Sequence, residues 1–190
     1  AEDFEKQKVN IDELYTGYSE ITVPGSLIDA FFKGKVLRAD ELRYYPNEFV
    51  LMKDEANEKH TALGRMVEPG VLTHLSSQYE YVWNVQARNK EQRLALELLM
   101  DPEVQIVPLV GQAGTGKTLL ALAAGLHATV RHRRYDRILV SRPVIPMGKD
   151  IGYLPGAKEE KLSHWMQPIF DNLTYLLRDG VTPEGGKRRK

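Results

Sequence analysis

The sequence predicts an α/β P-loop core preceded by a small β-rich module. Three observations carry this. Residues 111–118 match the Gly-x-x-x-x-Gly-Lys-Thr pattern in full, with an apolar run before it and a helix-forming run after it. The order strand, helix, strand, helix from residue 104 onward indicates parallel strands. Upstream, from about 17 to 85, short strand-like runs broken by turn residues read instead as a small β-rich module with one helix.

In chain order, residues 1–16 are polar and read as a linker. "SEITV" is a strand ended by "PG", and "SLIDAFFKG" is a short helix with Ser26 as its cap and Gly34 as its stop. "EFVLMKD", "TALGRMV" and "YEYVWNV" are further strands of the module that runs from 17 to 85. The pattern changes near residue 86, where a P-loop domain covering 86–190 begins. "NKEQRLALELLMDP" is an amphipathic helix stopped by Asp101-Pro102. "VQIVPLV" reads as a buried strand, although Pro108 removes a ladder donor and predicts a local irregularity. "KTLLALAAGLHATV" is apolar almost all round, as a helix lying on a sheet must be. "RILVS" is a second strand. "EEKLSHWMQPIFDNLTYLL" sets Leu162, Trp165, Met166, Ile169, Phe170, Leu173, Leu176 and Leu177 on one stripe, with a kink expected at Pro168.

Composition narrows the chemistry. The 190-residue chain has no cysteine, which removes disulfides and thiolate metal sites. No apolar run reaches membrane-spanning length, and "AEDFEKQKVN" lacks a signal-peptide core. Formal charge is zero, with 26 basic and 26 acidic residues, but it is unevenly spread. Residues 1–60 hold 8 Lys/Arg against 13 Asp/Glu, and residues 131–190 hold 13 against 7. A polyanion would therefore meet the C-terminal third.

The glycine-rich loop carries the strongest signal. Gly111, Gly114 and Gly116 let the backbone amides of Gln112, Ala113 and Thr115 turn inward around phosphate oxygens. The helix that follows points its positive end at the same place. Lys117 reaches the β and γ phosphates of a nucleotide, and Thr118 offers a hydroxyl to magnesium. Upstream, the amide of Gln92 can pair with the N6/N7 edge of adenine and so select ATP. Asn89 and Gln92 are equally a capping box. Arg142 follows the end of the second strand, where it faces a ligand crevice or solvent. The run Arg131-His132-Arg133-Arg134 either favours a helix dipole or touches nucleic acid. Tyr79, Tyr81 and Trp83 either stack on bases or fill a core. The five histidines have no ligand spacing.

"GQAGTGKTLLALAAGL", "SRPVIPMGKDIGYLPG" and "EEKLSHWMQPIFDNL" together resemble the PhoH-like ATPases, over about residues 84–178. The stretch with "LYTG" resembles the segment that, in longer members, follows a PIN-type ribonuclease domain. The resemblance implies a helicase-like P-loop core similar to superfamily 1 helicases, ATP and magnesium as cofactors, and ATP-dependent work on single-stranded RNA. It also implies a cytoplasmic, homo-oligomeric complete protein with no membrane attachment. It favours Gln92 as an adenine contact and places Ser141, Arg142 and Pro143 on the RNA side. Two other readings stay open: a small-molecule kinase, and an RNA-binding module with an ATP switch.

One departure stands out. No run of four apolar residues followed by Asp-Glu occurs in 119–190, so the carboxylates that hold magnesium and orient water are not found there. In the family they lie downstream of "MQPIFDNL", and the expectation is an N- and C-terminally incomplete fragment that turns ATP over poorly. In the helicase-like arrangement the first two strands are not sheet neighbours. A gap between them is therefore expected.

Overall fold

The computed structural model describes residues 17–34, 36–38, 44–142 and 158–178, with side chains of the last helix described from Met166 onward. It divides into two compact units, residues 1–77 and 78–190.

The first unit is a five-stranded mixed sheet. Its strands are β1 (Tyr18–Val23), β2 (Val36–Arg38), β3 (Phe49–Asp54), β4 (Thr61–Glu68) and β5 (Val71–His74), in the order β1-β3-β4-β5-β2. β1 and β3 are parallel, and the other neighbours are antiparallel. The alternation read in "EFVLMKD" turns Val50 and Met52 into the core, where Ala62 and Met66 of β4 and Leu72 of β5 join them. Helix α1 (Gly25–Gly34) covers this core with Ile28 and Phe31. The Phe31 ring stacks on His74 at 4.1 Å, and His74 Nε2 lies 3.1 Å from the Phe31 carbonyl.

The start of α1 differs from the expectation that Ser26 caps it. The helix begins at Gly25, and the Asp54 carboxylate accepts a hydrogen bond from the Gly25 amide. A Cβ at Gly25 would stand 2.4 Å from Asp54 Oδ2, so the close approach needs glycine. Asp54 also accepts from the Ala56 amide at 2.9 Å and pairs with His60 at 2.8 Å. Bonding to the Ala56 amide, then to His60, holds its carboxyl below the ordinary range. A capping residue 29 positions away in sequence cannot be found from local spacing.

The second unit opens with "YEYVWNV", which is not one strand. It folds as a tight hairpin of β6 (Tyr81–Val82) and β7 (Val85–Gln86). Trp83 and Asn84 hold φ of 45° and 61°, the paired positive values of a type I′ turn. Three helices follow: α2 (Lys90–Met100), α3 (Lys117–Leu126) and α4 (Lys158–Arg178). Their core gathers Leu96, Met100, Leu120, Leu122, Ala123, Ala124, Leu126, Ile169 and Leu176 around Val82 and Val85. Tyr79 and Trp83 pack against it, and the Trp83 indole donates to the Leu176 carbonyl at 3.2 Å. Their core role is thereby decided, whereas Tyr81 is 53% exposed. On α4, Met166, Ile169, Leu173 and Leu176 face the core, while Phe170 and Leu177 of the expected stripe are exposed. Leu162 and Trp165 lie outside the described side chains.

The two strands expected at 104–110 and 137–141 do not form. Neither segment takes part in a ladder among the described residues, and Ile106, Val110 and Leu139 are more than four-fifths exposed. A single extended segment cannot satisfy its own backbone, and strand geometry persists only with a neighbour to bond. Pro108 lowers the propensity of the first segment further. These runs flank α3 without closing a sheet beneath it.

Candidate nucleotide-binding site

α3 begins at Lys117 because Gly116, with φ of 89°, ends the loop in a conformation open to glycine. Gly114, with φ of 79°, supplies a second left-handed turn within the loop. The Leu120 amide bonds the Gly116 carbonyl at 2.9 Å and starts the helical ladder. The N-terminal end of α3, with its unpaired amides, thus opens at the loop.

Side chains tie the loop together. Lys117 Nζ donates to the carbonyls of Gly111 at 2.9 Å and Gln112 at 2.6 Å, and lies 3.3 Å from Thr115 Oγ1. The Thr115 hydroxyl donates to the Gln112 carbonyl at 2.9 Å. The ammonium therefore sits over the loop that the sequence assigns to phosphate. Gly111, Gln112, Ala113, Gly114 and Thr115 are exposed, as is Thr118 in the first turn of α3. An anion can reach all of them.

Gln92 joins this cluster from α2. Asn89 caps α2, accepting from the Gln92 amide at 2.8 Å. The Gln92 side chain closes the box one residue earlier than the standard form, accepting from the Arg88 amide at 2.9 Å. Its other end donates to the Thr115 carbonyl at 3.1 Å. Capping is thus real, and the same side chain also touches the loop. No sequence signal announces that second contact, because it depends on how α2 packs on α3.

The remaining candidates are less concentrated. Ser141 and Arg142 are exposed, and Pro143 lies outside the described residues. Arg134 donates to the carbonyl of Met100, the last residue of α2, at 3.2 Å. It serves a helix C-terminus as expected, though that of α2 rather than that of its own helix. A π-turn, His127–Arg131, prolongs α3 and brings His127 Nε2 to 2.9 Å from His132 Nε2. His127 is buried, with Nδ1 unpartnered among the described residues. Burial, then the charges of His132, Arg131 and Arg134, push its pKa down to about 4.

Among the described residues no group of three or more His, Asp or Glu is placed to hold a metal ion. The donor set fits magnesium that arrives with a nucleotide: one accessible Thr118 hydroxyl beside a phosphate loop. Loop, lysine, hydroxyl and helix end define a P-loop nucleotide-binding protein.

The comparisons give the family. The PhoH-like protein profile matches residues 84–188, and the chain belongs to this family of P-loop ATPase type. It is 46% identical to protein PhoH2 of Bacillus subtilis over 181 residues, which cover 93% of this chain and 41% of the relative. It is 37% identical to protein PhoH2 of Thermobispora bispora over 175 residues, covering 92% of this chain and 39% of the relative. Protein PhoH of Escherichia coli is 36% identical over 91 residues, covering 48% of this chain and 25% of the relative. The chain spans about two-fifths of the length of the PhoH2 relatives. No solved structure matches. No helix among the described residues is long and apolar enough to cross a membrane.

Proposed function

We propose that this chain is the ATP-binding part of a PhoH-like RNA-dependent ATPase of helicase type, cytoplasmic and homo-oligomeric in its complete form. The observation that carries the reading is the convergence of Lys117, the glycine-rich loop and Gln92 in one hydrogen-bonded cluster. Lys117 exchanges the carbonyls of Gly111 and Gln112 for the β and γ phosphate oxygens. The amides of residues 112–116 close around the same anion. Thr118 directs its hydroxyl to magnesium, which neutralises phosphate charge when bound. Gln92 contacts adenine, giving up a cap bond to do so.

Single-stranded RNA is the proposed partner, held on its backbone by Ser141, Arg142 and Pro143. The cationic excess of residues 131–190 supports this assignment. A PIN-type ribonuclease domain elsewhere in the complete protein is part of the same proposal. The test is calorimetric titration with magnesium-ATP and with a single-stranded RNA oligonucleotide, separately and together. ATP preferred over GTP, and RNA affinity that falls and loses salt dependence in an S141A/R142A variant, are expected. RNA affinity unchanged in that variant sinks the RNA-side assignment. A nucleotide site indifferent to RNA, with a small-molecule phosphoryl acceptor binding instead, favours a kinase.

A further inference from the structure

Gln92 does something in this structure that a base contact does not require. Its side-chain NH2 group holds the Thr115 carbonyl at 3.1 Å, across 23 residues of sequence. Its oxygen is anchored by the Arg88 amide at 2.9 Å, and its own amide by Asn89 Oδ1 at 2.8 Å. The side chain is therefore gripped at the α2 end and reaches the loop with its free end. The target matters as well. The Thr115 peptide adjoins Gly116, whose φ of 89° sets the last turn before Lys117. A Cβ on Gly116 would lie 3.2 Å from Gln92 Nε2, so the end of the Gln92 side chain lies close against the loop backbone there. Thr115 in turn bonds the Gln112 carbonyl at 2.9 Å through its hydroxyl. The loop's internal bond and the tether from α2 thus meet on one residue.

We infer that Gln92 is a positioning residue for the phosphate loop: it fixes the Thr115–Gly116 peptide from the capped end of α2, whatever base the nucleotide carries. This rests on the reading of residues 111–118 as a phosphate site. A loop fixed before the anion arrives loses less entropy on binding, which favours affinity. An exposed loop rich in glycine has many alternatives to suppress.

A ligand without a base separates positioning from base reading. Inorganic tripolyphosphate with magnesium is titrated calorimetrically into the purified wild type, Q92M and N89A proteins. Q92M keeps side-chain length and removes both polar ends. N89A removes the cap bond and leaves the tether. Q92M should bind tripolyphosphate about three- to tenfold more weakly, the range of one net hydrogen bond. N89A should bind it as wild type does, even if less stable. The loss in Q92M should be at least as large for ATP. Equal binding of tripolyphosphate by Q92M and wild type overturns the positioning role while leaving the phosphate site standing. Equal losses in N89A and Q92M assign the effect to capping, and overturn it too. Failure of the wild type to bind tripolyphosphate overturns both readings together.

Discussion

Acid should loosen the second unit through His127. The ring lies at the end of α3, only 8% exposed, with Nε2 at 2.9 Å from His132 Nε2. One of two imidazoles in such contact donates and the other accepts, so both cannot be cations. Burial and the neighbouring charges of His132, Arg131 and Arg134 lower its pKa from 6.5 to about 4. A base with a depressed folded pKa favours folding in its neutral form. Its contribution is full above the unfolded value of 6.5 and is lost as pH falls toward 4. At 1.36 kcal/mol per pKa unit the whole fall is worth about 3 kcal/mol, and partial access of water reduces this to roughly 1–3 kcal/mol. His127→Gln keeps a polar group of similar reach and removes the titration. Urea unfolding followed by circular dichroism at pH 7.5 and at pH 4 measures the difference. Between these pH values the wild type should lose about 1–3 kcal/mol more than H127Q. Equal losses in the two proteins would show that His127 is not held neutral by its surroundings, and would refute the burial argument.

Two further outcomes are expected. Lys117→Ala should weaken magnesium-ATP binding by roughly tenfold to a hundredfold, since charged hydrogen bonds contribute about 1.5–3 kcal/mol each. Calorimetry with unchanged affinity would remove the P-loop assignment. Gly64→Ala should destabilise the first unit by about 1–3 kcal/mol in urea, the usual cost of overpacking. Its Cβ would stand 2.6 Å from Leu72 Cγ, and Leu72 is fully buried. A midpoint equal to wild type would mean that β4 and β5 are spaced more loosely than described.

Local chemistry explains what was legible in the sequence. Alternation in "EFVLMKD" placed β3, because a pleated strand sorts its side chains by twos, and the turn signal "EPG" marked the end of β4. Asn89 marked the start of α2, and the loop pattern marked the glycine turn that opens α3. The misses are tertiary. Asp54, not Ser26, meets the start of α1, since a carboxylate brought by β3 reaches the Gly25 amide. The reversal at Trp83-Asn84 was missed because a β-branched, aromatic run carries no local mark of two successive residues at positive φ. "VQIVPLV" and "RILVS" have strand composition, yet composition cannot supply the ladder partners on which a strand depends. The Gln92 tether was hidden for a similar reason: spacing showed the cap and not the carbonyl beyond it.

The hydrogen bond from Trp83 to Leu176 spans 93 residues, while that from Gln92 to Thr115 spans 23. Loop-closure entropy grows by about 0.6 kcal/mol for each doubling of length, so the longer closure carries roughly 1.2 kcal/mol more. Chain statistics alone therefore make the closure onto α4 the costlier of the two. The contact of α2 with the glycine-rich loop closes over near neighbours, whereas the contact of α4 with the indole closes over most of the second unit. Trp83 is then an optical reporter of that longer closure once Trp165, the second tryptophan of the chain, has been replaced.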